Sequence, residues 1–162
     1  MDIEIVKVGM ADLNSANQPC MITTLGLGSC VGVALYDSHT KVVGLAHVML
    51  PSSEQAKNKS NIAKFADTAI IKLVDDMVKL GAKRERIVAK LAGGAQMFVF
   101  SQGSDLMRIG YRNIVASKEK LQELKIPIVS EDTGGNYGRT IELYSNDGRL
   151  MIKTIGFGVK QI

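Results

Sequence analysis

The 162-residue sequence has few of the residues that mark several classes of protein. It contains no tryptophan, 5% aromatic residues, two cysteines and two histidines. The cysteines, Cys20 and Cys30, have no histidine-rich segment near them, so they form neither a disulfide framework nor a zinc pattern. No apolar run approaches the roughly 18 residues that a membrane span needs, which argues against membrane insertion.

The charge of the chain is weakly positive, with 20 basic and 16 acidic residues scattered along it. There is neither a basic run nor an aromatic-studded strand of the kind that RNA-binding sheets use, so we expect no nucleic-acid partner. The first segment, MDIEIVKVGM, carries acidic residues and lacks the apolar core of a secretion signal. We therefore expect a cytoplasmic protein in which both cysteines are free thiols.

Apolar spacing predicts an α+β fold with mostly antiparallel sheet, and the length favours one domain over residues 1–162. Strands are expected at 3–9, 31–36, 41–50, 86–100 and 126–130, with a loop at 10–20 and a tail hairpin at 140–158. That hairpin is expected to turn at Asp147-Gly148, which would place Glu142 opposite Lys153. Helices are expected from Ser60 to Gly81 and from near Asn113 to the residue before Pro127.

The stretch TTLGLGSCVGVALYD, residues 23–37, places Cys30 directly before a strand. A tight hairpin turn centred between Ser38 and His39 would set Cys30 opposite His47, with Cβ atoms about 4.5–5.5 Å apart. A thiol beside an imidazolium has a lowered pKa and attacks as thiolate at neutral pH. The pairing predicts Cys30 as nucleophile and His47 as general base. The alternative is that Cys30 is simply a small buried apolar residue.

Two further roles are needed around such a pair. The glycines of GLGS permit a turn whose N–H groups can stabilise an oxyanion, which makes Gly28 and Ser29 candidates for oxyanion or substrate binding. A third group must orient the imidazole of the histidine. The residues leave this group open among Thr23, Thr24, Ser29, Asp37 and Asp132.

The motifs TLGLGSCVGVALYD and GLAHVMLPSS resemble the CheD family, the chemoreceptor glutamine deamidases of bacterial and archaeal chemotaxis. The resemblance continues in family order through KFADTAI, AGGAQMF, IGYRN and EDTGGNYGR. It implies that Cys30 is the nucleophile, His47 the general base and acid, and Thr24 the residue that orients His47. It also implies a layered α/β/β sandwich with two main helices, similar to cysteine-hydrolase deamidases, with no metal and no organic cofactor.

The function implied by the resemblance is a protein-glutamine deamidase. It would convert glutamine side chains on the cytoplasmic helices of methyl-accepting chemoreceptors to glutamate through a thioester on Cys30, with release of ammonia. A CheC-type chemotaxis phosphatase is the second implied partner, bound and stimulated on the face that the receptor uses. Two alternatives are a regulatory binding module for that phosphatase with little catalytic use, and a cysteine peptidase, since the same thiol chemistry cleaves backbone amides.

Overall fold

The described part of the computed structural model, residues 3–54, 56–97 and 108–162, contains ten strands and two α-helices. The strands are β1 (Glu4–Val8), β2 (Leu13–Ala16), β3 (Cys20–Leu27), β4 (Val31–Asp37), β5 (Val42–Val48), β6 (Ile87–Gly93), β7 (Ile128–Thr133), β8 (Arg139–Tyr144), β9 (Leu150–Thr154) and β10 (Gly158–Gln161). The helices are α1 (Ala66–Lys79) and α2 (Ile109–Glu123).

The strands form two five-stranded sheets. The first sheet has the order β1-β3-β8-β9-β10 and the second the order β2-β5-β4-β6-β7. Parallel pairing occurs between β1 and β3 and between β6 and β7, and the other pairs in the described chain are antiparallel. The expected α+β fold with mostly antiparallel sheet is confirmed.

The second sheet forms the middle layer, because alternate residues of its strands enter two separate apolar cores. Val33 and Leu35 of β4 pack with α1 in one core, whereas Ala34 and Tyr36 pack against the first sheet in the other. Period-two alternation in a strand buried on both faces produces this division. The result is the layered arrangement of helices, second sheet and first sheet that was expected.

The hairpin β4–β5 carries the histidine, and its register differs from the prediction. Gly32, not Cys30, is paired with His47. Cys30 precedes β4, so the prediction that the thiol lies directly opposite the imidazole is wrong. The two residues are instead diagonal neighbours on one face of the sheet.

Asp37 causes this shift of register. Its carboxylate accepts a hydrogen bond from the N–H of His39 at 2.9 Å, and its carbonyl accepts one from the N–H of Lys41 at 2.8 Å. Lys41 adopts a left-handed φ of 65°. The loop therefore consists of residues 38–41, and its centre lies one residue later than expected.

Several other boundaries also differ from the predictions. Residues 13–16 of the expected loop form β2, since they pair with β5 at the edge of the second sheet. Helix α2 begins at Ile109 rather than near Asn113. The tail hairpin pairs Leu143 with Leu150 around a longer turn, so Glu142 is paired with Met151. Lys153 still reaches the Glu142 carboxylate at 3.1 Å. The expected strand at 86–100 ends at Gly93, and its residues 98–100 lie outside the described chain.

Within the described residues, neither helix combines the length and apolarity that crossing a bilayer requires.

Gly44 of β5 provides a test of the packing between α1 and the second sheet. A Cβ at this position would lie 2.7 Å from Met77 Sδ and 2.9 Å from Leu73 Cδ1. We expect Gly44→Val to lower the free energy of unfolding by about 1–3 kcal/mol through overpacking, measured by urea denaturation. Gly9→Val is the matched control, because a Cβ at Gly9 meets nothing within 4 Å. Equal stability of the two variants would contradict this packing.

Candidate active site

Thr24 and His47 meet in the core between the two sheets. Thr24 lies on β3 and His47 on β5, and the two side chains are 1% exposed. Thr24 Oγ1 is 2.7 Å from His47 Nδ1 and donates a hydrogen bond of 2.7 Å to the carbonyl oxygen of Val8. Val8 reaches this position because β1 pairs in parallel with β3, with Val8 beside Thr24.

These two hydrogen bonds determine the tautomer of His47. A hydroxyl has one hydrogen, and a carbonyl can only accept, so the Thr24 hydrogen points to Val8. His47 Nδ1 must then carry the hydrogen that it shares with Thr24 Oγ1. In the neutral ring, Nε2 is left with a lone pair, and it is buried without a hydrogen-bond partner in the described chain. Nε2 is thus available as a base.

Cys30 borders the same inter-sheet core, at the beginning of β4. Its side chain is 8% exposed and belongs to the apolar cluster that contains Ile22 and Ile141. Diagonal neighbours across an antiparallel pair are about 7–8 Å apart at Cα, which side chains can bridge. In the described chain, Cys30 Sγ and His47 Nε2 do not form a hydrogen bond.

Burial shifts both pKa values toward the neutral forms. It raises the pKa of the Cys30 thiol and lowers the pKa of the His47 imidazole from their ordinary values. Both shifts arise because charged forms lose solvation when buried. The resting pair is therefore a neutral thiol and a neutral imidazole, not the thiolate and imidazolium pair assumed from the sequence.

The segment before the thiol is held by its carbonyl groups. The carbonyl of Gly28 accepts from Ala95 N at 2.9 Å, and that of Cys30 accepts from Gly94 N at 2.8 Å. Between them, the Ser29 carbonyl accepts from Asn113 Nδ2 at 3.0 Å. The N–H of a trans peptide points opposite to its C=O, so the N–H groups of Ser29 and Cys30 are directed away from these contacts.

Three of the other residues considered as the third group have different partners. Thr23 Oγ1 donates to the carbonyl of Ile141 at 2.7 Å. The Asp37 carboxylate accepts from Arg86 Nε at 3.0 Å, and Asp132 accepts from Arg139 Nε at 3.2 Å. Of the candidates, Thr24 is the one that contacts the imidazole.

Sequence reasoning missed two contributors, the Val8 carbonyl and Asn113. The first is a main-chain group, which no motif identifies. The second is Asn113 of IGYRN, which was expected only to begin the second helix. In residues 3–54, 56–97 and 108–162, no three His, Cys, Asp or Glu side chains are grouped to hold a metal ion.

A sequence model of the family described as "CheD chemotactic sensory transduction" matches residues 49–154. A protein of Caldanaerobacter subterraneus named "Probable chemoreceptor glutamine deamidase CheD" is 58% identical over all 162 residues of both chains. The "Chemoreceptor glutamine deamidase CheD" of Halalkalibacterium halodurans is 54% identical over 98% of this chain and 99% of its own. The solved structure of the Bacillus licheniformis hypothetical protein YfiH aligns with a TM-score of 0.49 and 16% identity, over 75% of this chain and 50% of that chain.

The neutral resting pair predicts how Cys30 reacts with iodoacetamide. Alkylation should rise through the alkaline range, with a midpoint above the ordinary thiol value, because burial raises the pKa of Cys30. Peptide-resolved mass spectrometry on the Cys20→Ala variant isolates this thiol. A rate that reaches its plateau below about pH 7 would indicate a preformed thiolate and contradict the neutral pair.

Proposed function

Because the chain belongs to the CheD family of chemotactic sensory transduction proteins, we propose that it is a chemoreceptor glutamine deamidase with Cys30 as nucleophile. His47 acts as general base and then as general acid, and Thr24 orients His47. The family membership confirms the resemblance inferred from the motifs. The proposal treats residues 1–162 as one deamidase domain that acts in the cytoplasm.

The observation that supports this proposal most directly is the hydrogen bond from His47 Nδ1 to Thr24 Oγ1, with a second bond from that hydroxyl to Val8. It leaves Nε2 unprotonated and without a partner in the described chain, on the sheet face shared with Cys30. A buried imidazole in this state has a chemical use, because a nearby thiol needs a base before it can attack.

The reaction proceeds in two halves. Cys30 Sγ attacks the side-chain amide carbon of glutamine while its proton passes to His47 Nε2, and the amide oxygen gains the negative charge. His47 returns the proton to the amide nitrogen, the C–N bond breaks, and ammonia leaves a thioester on Cys30. Water then gives a proton to Nε2 and attacks the thioester carbon. The C–S bond breaks, sulfur regains the proton, and glutamate is released.

A surface groove on the face of the first sheet opposite to Cys30 supports a protein partner with apolar side chains. A groove of about 590 Å³ on the outer face of the first sheet extends to Thr24. Its lining includes the apolar Ile5, Met10 and Leu25 and the charged Lys7, Glu142 and Lys153. Leu25 is 68% exposed and Met10 is 62% exposed. Exposed apolar side chains grouped at a site are typical of protein-binding surfaces. We assign this groove to a part of the receptor away from the reacting glutamine, because neither Cys30 nor His47 lines it.

A CheC-type chemotaxis phosphatase is the second partner in the proposal. The same apolar groove is available to it, so receptor and phosphatase would compete for Leu25 and Met10. The alternative function, a regulatory module for the phosphatase, uses the same groove but needs no thiol. Substitution of Cys30 separates the two functions.

Incubation of a chemoreceptor cytoplasmic fragment with the protein should convert discrete glutamines to glutamate, detected by peptide mass spectrometry. Cys30→Ala should abolish conversion, and Cys20→Ala, the other buried thiol, should not. Undiminished conversion by Cys30→Ala would refute the proposed nucleophile. Cleavage of the receptor backbone would indicate a peptidase, and lack of conversion by the folded wild type would favour the regulatory module.

Thr24 can be tested in the same assay. Thr24→Val removes the oxygen that accepts from His47 Nδ1, so we expect kcat to fall by about 100-fold, within the range attributed to general acid–base catalysis. Thr24→Ser keeps that oxygen and should retain most of the rate. Equal activity of the valine and serine variants would exclude the orienting role.

The groove predicts a separate effect on substrate affinity. Leu25→Asp places a charge among the groove's apolar side chains, so KM for the receptor fragment should rise by about tenfold, which corresponds to about 1.4 kcal/mol, with kcat little changed. Val129→Asp is the control, since Val129 is also exposed but lies on β7, outside the groove. A similar KM for both variants would place the receptor elsewhere.

A further inference from the structure

Asn113 is a completely buried polar residue that the proposed mechanism does not yet use. It lies on α2, and its amide nitrogen donates to two carbonyl oxygens, that of Ser29 at 3.0 Å and that of Met49 at 2.9 Å. Its Oδ1 is buried with no hydrogen-bond partner in the described chain. Burial of an amide whose acceptor has no partner costs desolvation free energy, which an apolar side chain would avoid. We therefore expect Asn113 to have a specific role.

The two carbonyls belong to the two halves of the candidate active site. Ser29 directly precedes the nucleophile Cys30, and Met49 follows the base His47 by two residues. Both hydrogens of the Asn113 amide are therefore used to join the nucleophile segment to the end of β5. One side chain thus fixes the position of one half relative to the other.

The approach of α2 to this segment requires glycine at two points. A Cβ at Gly110 would lie 2.4 Å from the carbonyl oxygen of Ala95, and a Cβ at Gly94 would lie 2.3 Å from Ile114 Cγ1. Gly94 also has a left-handed φ of 66°, which glycine adopts without strain. The close packing lets Asn113 reach the Ser29 carbonyl with a short side chain.

The contact with Ser29 also sets the direction of a donor. The Ser29 carbonyl and the Cys30 N–H belong to one planar trans peptide, so they point in opposite directions. When Asn113 holds the carbonyl, the Cys30 N–H is turned away from α2. In the described chain this N–H has no hydrogen-bond partner.

We propose that Asn113 is a positioning residue, which holds the Ser29–Cys30 peptide so that the N–H of Cys30 donates to the oxyanion. This inference rests on the proposed deamidation. As the bond between Cys30 Sγ and the amide carbon forms, the carbonyl electron pair moves to oxygen, and the fixed N–H stabilises that charge without reorganising. Ser29 N–H, whose own peptide is held through Gly28 and Ala95, is the second donor.

The test compares two reactions of the same thiol. Attack on an amide needs an oxyanion donor, whereas alkylation by iodoacetamide displaces iodide and generates no oxyanion. Asn113→Leu keeps the side-chain volume but removes the amide. We expect kcat for deamidation of a receptor fragment to fall about 10- to 100-fold, below the full effect of deleting an oxyanion donor, with KM changed less than about threefold. Alkylation of Cys30 should stay within about threefold of the wild type.

Ser117→Ala is the matched control. Ser117 lies one turn further along α2, is completely buried, and its hydroxyl has no partner in the described chain. It touches neither half of the site through a hydrogen bond, so kcat should remain close to the wild-type value. Thermal denaturation of all variants shows whether each is folded at the assay temperature.

Each outcome either supports or overturns the positioning role of Asn113. A fall in kcat with alkylation preserved supports the positioning role. An unchanged kcat overturns it, and so does a parallel loss of kcat and alkylation, since that would mean Asn113 only maintains the fold. If Asn113→Leu does not fold, the same two measurements are made on Asn113→Ser and interpreted in the same way. Failure of the wild type to convert any glutamine would refute the proposed function itself, and this inference with it.

Discussion

The hydroxyl of Thr24 has one hydrogen to donate, and the carbonyl of Val8 accepts it. This hydrogen bond determines the tautomer of His47, because Nδ1 must then be the protonated nitrogen and Nε2 the basic one. The hydrogen bond from Thr24 to Val8 requires β1 to pair with β3, so that Val8 lies beside Thr24. The contact with His47 requires the two sheets to pack so that β3 faces β5. The packing of the two sheets therefore allows Thr24 to determine the tautomer of His47.

A neutral orienting group is consistent with a buried neutral pair. An aspartate in place of Thr24 would stabilise an imidazolium but would itself be a charge in an apolar core, with a large cost in solvation. The hydroxyl directs the ring without adding charge, and burial keeps both the Cys30 thiol and the His47 imidazole uncharged. Charge then appears at this site only during the reaction, when the substrate has displaced solvent and the oxyanion has its donors.

Local patterns in the sequence identified the elements that carry the site but not how they pair. The strands containing Cys30 and His47 were predicted from their β-branched residues, and α1 was predicted from its helical spacing. The predicted register was wrong because the Asp37 carboxylate fixes a turn over residues 38–41, whose centre lies one residue later than expected. That turn depends on one side-chain orientation, which composition does not specify. Strand β2 was missed because LNSA has little apolar character and is a strand only by pairing with β5.

Thr24 and Asn113 illustrate what the sequence alone does not show about the site. Residues as different as Thr23 and Asp132 were open as partners of the imidazole until the resemblance singled out Thr24. Between Thr23 and Thr24 the choice depends on which face of β3 each residue occupies, and that is set by sheet packing. Asn113 is 66 residues from His47 in sequence, and it contributes through main-chain carbonyls. Such contacts leave no local pattern, because any residue can supply the carbonyl.

The protonation of His47 depends on the position of β1. This strand is at the edge of the first sheet, where β3 is its one neighbour in the sheet, and elements with few contacts are among the first to separate as a fold opens locally. If β1 separates from β3, the Thr24 hydroxyl loses its hydrogen bond to the Val8 carbonyl and can donate to His47 Nδ1 instead. The ring proton then resides on Nε2, and that nitrogen is no longer a base. Separation of this one edge strand would thus remove the base at Nε2 while the core remained folded.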